Sequence, residues 1–349
     1  MPRQNWMAGE DEETKLRQLC MPGSHDACMY TVRDTSSEGT FIIQSSVTQF
    51  LSIGEQLQAG TRFFDIRLYR DRDSKVIRAG HFPSKSSSTN HMGEYGPPFV
   101  DVCRDIQGFM AANPSEVVLL KFSLSKNASG PGLALIEAQL VDFLYISNGA
   151  ENLADVPLSR LRGRVLALFD SPSGSTAYFN NRLHVVSKKT PRAGDAAGLL
   201  ASTRRSILWL NGDAPTADSL DAVITKQNEA RDGDGAREMA PHLEMFYLTI
   251  TAGTGTAIHA ALDPLETSTA RARMCVADNT AREFGLTGVA SAAPDRLRSK
   301  YGSWADGAET RYEAAMKRAK GARFTNVFIY DFINNDVNDK ILQQNPSHW

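Results

Sequence analysis

Eight short apolar runs, spaced along most of the chain, constrain its fold more than any other feature. They are Leu16 to Met21, Arg62 to Arg70, Val76 to Ala79, Val117 to Ser123, Arg164 to Phe169, Ile207 to Asn211, Met245 to Thr251 and Val327 to Ile333. Each has the length of a strand, and helical patterns lie between several of them, such as Leu133 to Leu144 and the Ala-rich Thr310 to Lys320. Such alternation argues for parallel strands joined by crossover helices. The economical reading is one α/β domain over residues 1–349, a TIM-type (β/α)8 barrel that is distorted or incompletely closed. Two doubly wound domains would need a composition break, and none divides the chain convincingly. The stretch Ser84 to Pro98, rich in Ser, Gly and Pro, reads as a loop insertion.

Side chains alternate along a strand, so Phe63, Asp65 and Arg67 share one face of the second run while Phe64, Ile66 and Leu68 share the other. The same count sends Val327, Ile329 and Asp331 one way on the last run. A carboxylate and a guanidinium thus face the barrel interior, and Asp331 does too if its set is the inner one. Charges there are costly unless paired, and catalytic groups of this fold sit at the C-terminal ends of strands. An internal ion-pair network without chemistry is the structural alternative.

Three short segments add the chemistry: Pro22-Gly23-Ser24-His25-Asp26, Gly60-Thr61-Arg62-Phe63-Phe64-Asp65-Ile66-Arg67 and Gly80-His81-Phe82. Cleaving a phosphodiester with an internal hydroxyl takes a base for that hydroxyl, an acid for the leaving oxygen and a cation for the phosphoryl oxygens. His25 and His81 can fill the first two roles, because imidazole gives and takes protons near neutrality. Arg67 suits the third, since its planar fork matches two phosphate oxygens. His91, His184, His242, His259 and His348 have no comparable context; His91, on the insertion after His81, could touch substrate.

Composition limits the partners. The 38 Lys+Arg against 40 Asp+Glu leave a formal charge of -2, so no global field draws the protein to nucleic acid or to an anionic membrane. Transient, local membrane contact stays open, with Trp209 and Trp304 as rim candidates. No apolar run approaches the length of a membrane helix, and Met1 to Glu13 lacks the pattern of a signal peptide. The expected setting is therefore cytoplasmic or peripheral to a membrane, or secreted if the written start is a mature terminus. Four cysteines without metal-ligand spacing read as free thiols.

Taken in order, the segments resemble the X-domain of phosphatidylinositol-specific phospholipase C, in its bacterial-type, single-domain form. The resemblance starts at Asn5-Trp6-Met7 and runs through the three segments above to Asn113-Pro114-Ser115-Glu116-Val117-Val118-Leu119-Leu120. Leu161-Arg162-Gly163-Arg164-Val165, the Gly/Thr-rich turn at 251–257 and Val327 to Asn334 complete it. It implies a distorted barrel that cleaves an inositol phospholipid by attack of the inositol 2-hydroxyl on phosphorus, giving diacylglycerol and a cyclic inositol phosphate. It also implies His25 as general base supported by Asp331, His81 as general acid beside Asp26, and Arg67 on the phosphoryl oxygens.

The calcium-dependent branch of that family has Asn after the first His and a carboxylate where Arg67 stands. This chain has Asp26 and Arg67, so no metal and no cofactor are expected. Two departures concern the substrate. The bacterial lysine falls at Ser123, with Lys121 one layer away on the same face, and the arginine that meets the inositol ring falls at Asp170. Asp65, Lys121, Ser123, Asp170, Asn211 and Asp213 are the candidate substrate-binding residues, although Asn211-Gly212-Asp213 also reads as a turn. The competing functions are a metal-dependent glycerophosphodiesterase or sphingomyelinase-like enzyme, and a non-catalytic module that binds a phosphoinositide, a sugar phosphate or a protein.

Overall fold

The computed structural model describes residues 3–31, 48–49, 51–82, 94–170, 181–212, 220–233, 239–249, 325–330, 333 and 335–345, apart from positions 72, 126 and 189. Its strands are β1 (Met21–Ser24), β2 (Phe63–Arg70), β3 (Ile77–His81), β4 (Glu94–Pro98), β5 (Val117–Leu124), β6 (Arg164–Asp170), β7 (Leu183–Ser187), β8 (Ile207–Asn211), β9 (Leu243–Tyr247) and β10 (Val327–Tyr330). Among the described residues, eight of them pair in parallel in the order β1-β10-β9-β8-β7-β6-β5-β2, and β2 pairs back to β1. The barrel is therefore closed, as the TIM-type reading expects, and of its two forms the incompletely closed one does not hold.

The seam is nevertheless short. β1 meets β2 only at Gly23↔Phe63 and Ser24↔Phe64, while β5 follows the opposite edge of β2 as far as Leu68. Beyond the seam the antiparallel hairpin β3–β4 takes over the edge that β1 leaves, starting at Leu68↔Ala79. The last turn of β2 is thereby carried past the rim of the barrel. Gly23 lets β1 pack closely on β10, on its other edge: a Cβ there would lie 2.8 Å from Val327 Cγ1 and 2.9 Å from Ile329 Cγ1.

Alternation along the strands separates two apolar layers. Met21, Phe63, Leu119, Leu166, Leu168, Leu208, Leu210, Met245, Val327 and Ile329 fill the lumen. Phe64, Ile66, Leu68, Val118, Leu120 and Phe122 point outward, where they meet Phe99, Val102, Ile106 and Phe109. Those last four lie on helix α2 (Phe99–Ala112); α1 (Ile53–Gln58) precedes it, and α3 (Ser129–Leu140), α4 (Leu158–Leu161), α5 (Ala193–Thr203), α6 (Leu220–Gly233) and α7 (Asn335–Leu342) follow. At the N-terminal end, Arg62 and Glu116 form a fully buried ion pair at 2.7 Å, and Trp6 Nε1 donates to the carbonyl of Gly60.

Several expected elements shift. Leu16 to Met21 is a 3-10 turn at Leu16–Gln18, and the strand begins only at Met21. Val76 to Ala79 contributes to β3, which belongs to the antiparallel hairpin and not to the barrel. The eighth barrel strand is β7, and the expected insertion at Ser84 to Pro98 ends in strand β4. β4 tolerates Pro97 and Pro98 because it is an edge strand. The expected helix over Leu133 to Leu144 is α3, and the one over Thr310 to Lys320 lies outside the described residues. Cys20, Cys28 and Cys103 are buried free thiols, while Cys275 lies outside the described residues.

Candidate active site

Where β1 ends, its first parallel neighbour still guides the chain: His25 N–H donates to Tyr330 O of β10 at 3.2 Å. The backbone then reverses through Asp26, whose φ of 42° lies in the left-handed region that a non-glycine residue enters only at a cost. Surrounding bonds hold it there. Met29 N–H and Thr48 Oγ1 both donate to Asp26 O at 2.9 Å, and Ala27 N–H donates to Asp65 O at 2.9 Å. Gln49, buried, ties this turn to the last strand: its Nε2 donates to His25 O at 2.9 Å and to Tyr330 O at 3.3 Å, and its Oε1 accepts from Ile333 N–H at 3.0 Å.

The turn delivers Asp26 to the side chains that β2 aims into the lumen. Arg67 Nε lies 2.6 Å from Asp26 Oδ1, and Arg67 Nη2 lies 3.8 Å from Asp65 Oδ2. Strand register sets Asp65 beside Lys121 and Arg67 beside Ser123, and Lys121 Nζ donates to Asp65 Oδ1 at 2.8 Å. Both imidazoles reach the same carboxylate oxygen: His25 Nε2 is 3.7 Å and His81 Nε2 3.4 Å from Asp26 Oδ2. Arg67 Nη2 is also 3.4 Å from His25 Nε2. Thus five residues from β2, β3, β5 and the turn after β1 meet the guanidinium of Arg67 directly or through one carboxylate.

Burial makes these charges dependent on one another. Burial alone would raise the Asp65 carboxyl, but Lys121, Arg67 and His25 outweigh it and hold it well below the usual carboxylate range. The Lys121 ammonium and Arg67 guanidinium are opposed by burial in the same way, yet Asp65 and Asp26 raise both above their ordinary values. Two carboxylates and two fixed cations make this set formally neutral before the histidines titrate. One imidazolium added to it would match the single negative charge of a phosphodiester. The Asp26 side chain is 1% exposed, and neither of its oxygens has a well-aligned hydrogen-bond donor among the described residues. They make ion pairs only, with Arg67, His25 and His81.

The same carboxylates could in principle hold a divalent cation, since His25, Asp26 and Asp65 offer ligand atoms all within 4.8 Å of one another. The Arg67 guanidinium already bridges the two carboxylates, and a second cation would be repelled by it. The donor set therefore fits a guanidinium better than a metal.

The other candidate residues differ in position. Ser123 Oγ approaches Asp170 Oδ2 at 3.5 Å where β5 and β6 end, beside the ion pairs. Asn211 falls on the outward face of β8, where its Nδ2 donates to Glu244 Oε2 at 3.0 Å, because Leu208 and Leu210 take the lumen side. Gly212, with a φ of 113°, supports the turn reading of that segment. Asp213 and Asp331 lie outside the described residues, as do His91, His259, His348 and Trp304. Trp209 is no rim residue, being 2% exposed and packed with Val185, Ile207 and Ala240.

Three participants escaped the sequence reading. Tyr69 extends the Asp65 and Arg67 face by one more step, so the same alternation could have found it. Tyr247 ends the lumen face of β9 after Leu243 and Met245, close enough to act on the charges of Arg67 and Lys121. Gln49 carried no signal, because its role depends on backbone groups distant in sequence.

No protein-family model matches the chain. Among curated proteins it is 25% identical over 181 residues to the 1-phosphatidylinositol phosphodiesterase of Listeria monocytogenes, covering 51% of this chain and 52% of that one. It is 29% identical over 142 residues to the human PI-PLC X domain-containing protein 2, covering 34% of this chain and 43% of that one. The chain thus spans about half the length, or less, of the curated relatives it matches. Among solved structures, the phosphatidylinositol-specific phospholipase C from Listeria monocytogenes aligns over 99% of both chains with a TM-score of 0.54 at 15% identity. A Staphylococcus aureus phospholipase of the same specificity aligns over 99% of this chain and 98% of its own with a TM-score of 0.57, also at 15% identity. The structures bear out the TIM-type fold, and the curated matches bear out the resemblance to the phospholipase C X-domain.

Proposed function

We propose that this chain cleaves the phosphodiester of an inositol phospholipid or related glycolipid, with the inositol 2-hydroxyl as nucleophile. The observation that carries the reading is the sharing of Asp26 Oδ2 by two imidazoles while Asp26 Oδ1 holds Arg67 at 2.6 Å. That arrangement supplies a base, an acid and a cation around one small space. His25 takes the proton of the 2-hydroxyl as its oxygen bonds to phosphorus. His81 gives a proton to the diacylglycerol oxygen as the old phosphorus–oxygen bond breaks, leaving a five-membered cyclic phosphodiester on the inositol. Arg67 meets the charge on the two non-bridging oxygens, and Asp26 stabilises the imidazolium of His81.

Asp331 supports His25 in this reading. It follows the β10 segment whose Tyr330 carbonyl takes the His25 N–H, so its place in the chain is consistent with that role. Lys121, Ser123 and Asp170 line the head-group side, and Lys121 keeps Asp65 ionised. Catalysis is metal-independent because Arg67 supplies the cation, and contact with the lipid surface is transient. No helix among the described residues is long and apolar enough to cross a membrane.

Substituting His25 or His81 by Ala tests the reading. Either change is expected to lower kcat on phosphatidylinositol by about 10³-fold or more with the fold retained in circular dichroism. Undiminished turnover in both variants overturns it.

A further inference from the structure

His81 does not stand alone at the rim. Phe82 follows it directly, and its ring centroid lies 4.6 Å from that of Tyr69 and 4.9 Å from that of Tyr95, in tilted and edge-on arrangements. Tyr69 is the residue after Arg67 on the lumen face of β2, and Tyr95 sits across from Gly80 in the β3–β4 pair. Gly80 is what lets the rings come down onto this hairpin. A Cβ there would lie 2.7 Å from Tyr69 Cδ2 and 2.8 Å from Phe82 Cε2. Phe82 and Tyr95 keep part of their surface exposed, whereas Tyr69 is 8% exposed. The result is an aromatic wall, partly open to solvent, that begins one residue from His81 and runs back toward Arg67.

We propose that Tyr69, Phe82 and Tyr95 form the subsite for the leaving alcohol, and that they select a diester whose leaving alcohol is apolar and acyl-bearing over one whose leaving alcohol is glycerol. The inference rests on the reading above, in which His81 protonates the leaving oxygen. Proton donation requires that oxygen within hydrogen-bond reach of His81, so the atoms just beyond it lie against whatever surrounds His81. Phe82, which follows His81, packs on Tyr69, which shares the lumen face of β2 with Arg67, and aromatic rings so placed gain free energy by covering apolar surface and nothing comparable from covering a hydroxylated chain. Arg67, His25 and the head-group residues act the same way on either diester. Preference between leaving alcohols therefore falls to the wall.

The test compares kcat/KM for dihexanoyl phosphatidylinositol, kept below its micelle concentration, with that for glycerophosphoinositol, in the full chain and in the variants Phe82→Ala, Phe82→Leu and Tyr95→Ala. Monomeric substrate removes any contribution from a lipid surface. The wild type is expected to favour the acylated diester. Phe82→Ala should lose about tenfold on it, while glycerophosphoinositol turnover stays within about twofold. Phe82→Leu, which keeps an apolar side chain, should retain most of the preference, and Tyr95→Ala should lose part of it. If Phe82→Ala does not fold, the other two variants make the same comparison. Equal losses on both substrates would mean that the rings merely hold His81, and no loss on either would mean that they touch nothing; both results overturn the proposal. A wild type that turns over neither diester overturns the phosphodiesterase reading itself, and the subsite with it.

Discussion

Replacing Arg67 by Lys separates charge from geometry. The guanidinium makes three contacts, with Asp26 at 2.6 Å, His25 at 3.4 Å and Asp65 at 3.8 Å. An ammonium on a shorter, single-pointed chain can keep one carboxylate but cannot span both, nor present two parallel N–H groups to a phosphoryl group. Because the positive charge stays, neither buried carboxylate loses all compensation, and stability should change by no more than about 1 kcal/mol. Catalysis should suffer more. Losing a preorganised donor to the phosphoryl oxygens costs about 3 kcal/mol in the transition state, or about a hundredfold in kcat. Arg67→Met is the companion variant: it strands the 1% exposed Asp26 side chain, and unfolding free energy should fall by about 3 kcal/mol in urea titration. The assay is kcat on monomeric phosphatidylinositol with stability measured on the same preparations. If Arg67→Lys keeps kcat within about threefold of the wild type, the guanidinium is only a structural counter-ion and the assigned role is refuted.

Other perturbations report on the supports of the site. Gln49→Leu removes the three bonds that join the His25 turn to Tyr330 and Ile333; kcat should drop by about tenfold or more with little change in KM, and the acid limb of its pH profile should shift. His184, 1% exposed, has its pKa pushed down by burial to about 4 even though its Nε2 contacts Tyr145 O. The unfolded chain binds that proton first as pH falls, so stability is complete above about 6.5 and declines toward 4, by about 2 kcal/mol at pH 5. His184→Asn should flatten this part of a Tm-against-pH curve, and an unchanged slope would rule the residue out as its source. Gly23→Ala presses a methyl group against Val327 and Ile329 of β10; a loss of about 1 to 3 kcal/mol is expected from chemical denaturation.

The barrel was legible because buried parallel strands must be continuous apolar runs, and β2 even declared its inner face through Phe63, Asp65 and Arg67. Pairing direction was not legible. Val76 to Ala79 looks like any other short apolar run, and only its place on the β2 edge vacated by β1 makes it a hairpin strand. β7 was hidden because its run is brief and interrupted by His184, which is buried as a neutral imidazole. Residues in the three motif segments were brought together by strand register and one tight turn. Asn211-Gly212-Asp213 admitted a substrate-contact and a turn reading, and strand parity, which sends Asn211 to Glu244, supports the turn together with the φ of Gly212. Gln49 was invisible for a physical reason: its partners are backbone groups, which leave no mark in a sequence.

Metal-free cleavage that yields a cyclic product is the central claim, and one measurement addresses it directly. Phosphatidylinositol is incubated with the protein in excess EDTA and the reaction is followed by phosphorus NMR. A resonance of a five-membered cyclic phosphodiester should grow as the lipid signal falls, at a rate unaffected by the chelator. Loss of turnover in EDTA with recovery on added calcium, or direct appearance of a phosphomonoester with no cyclic species before it, would contradict the claim.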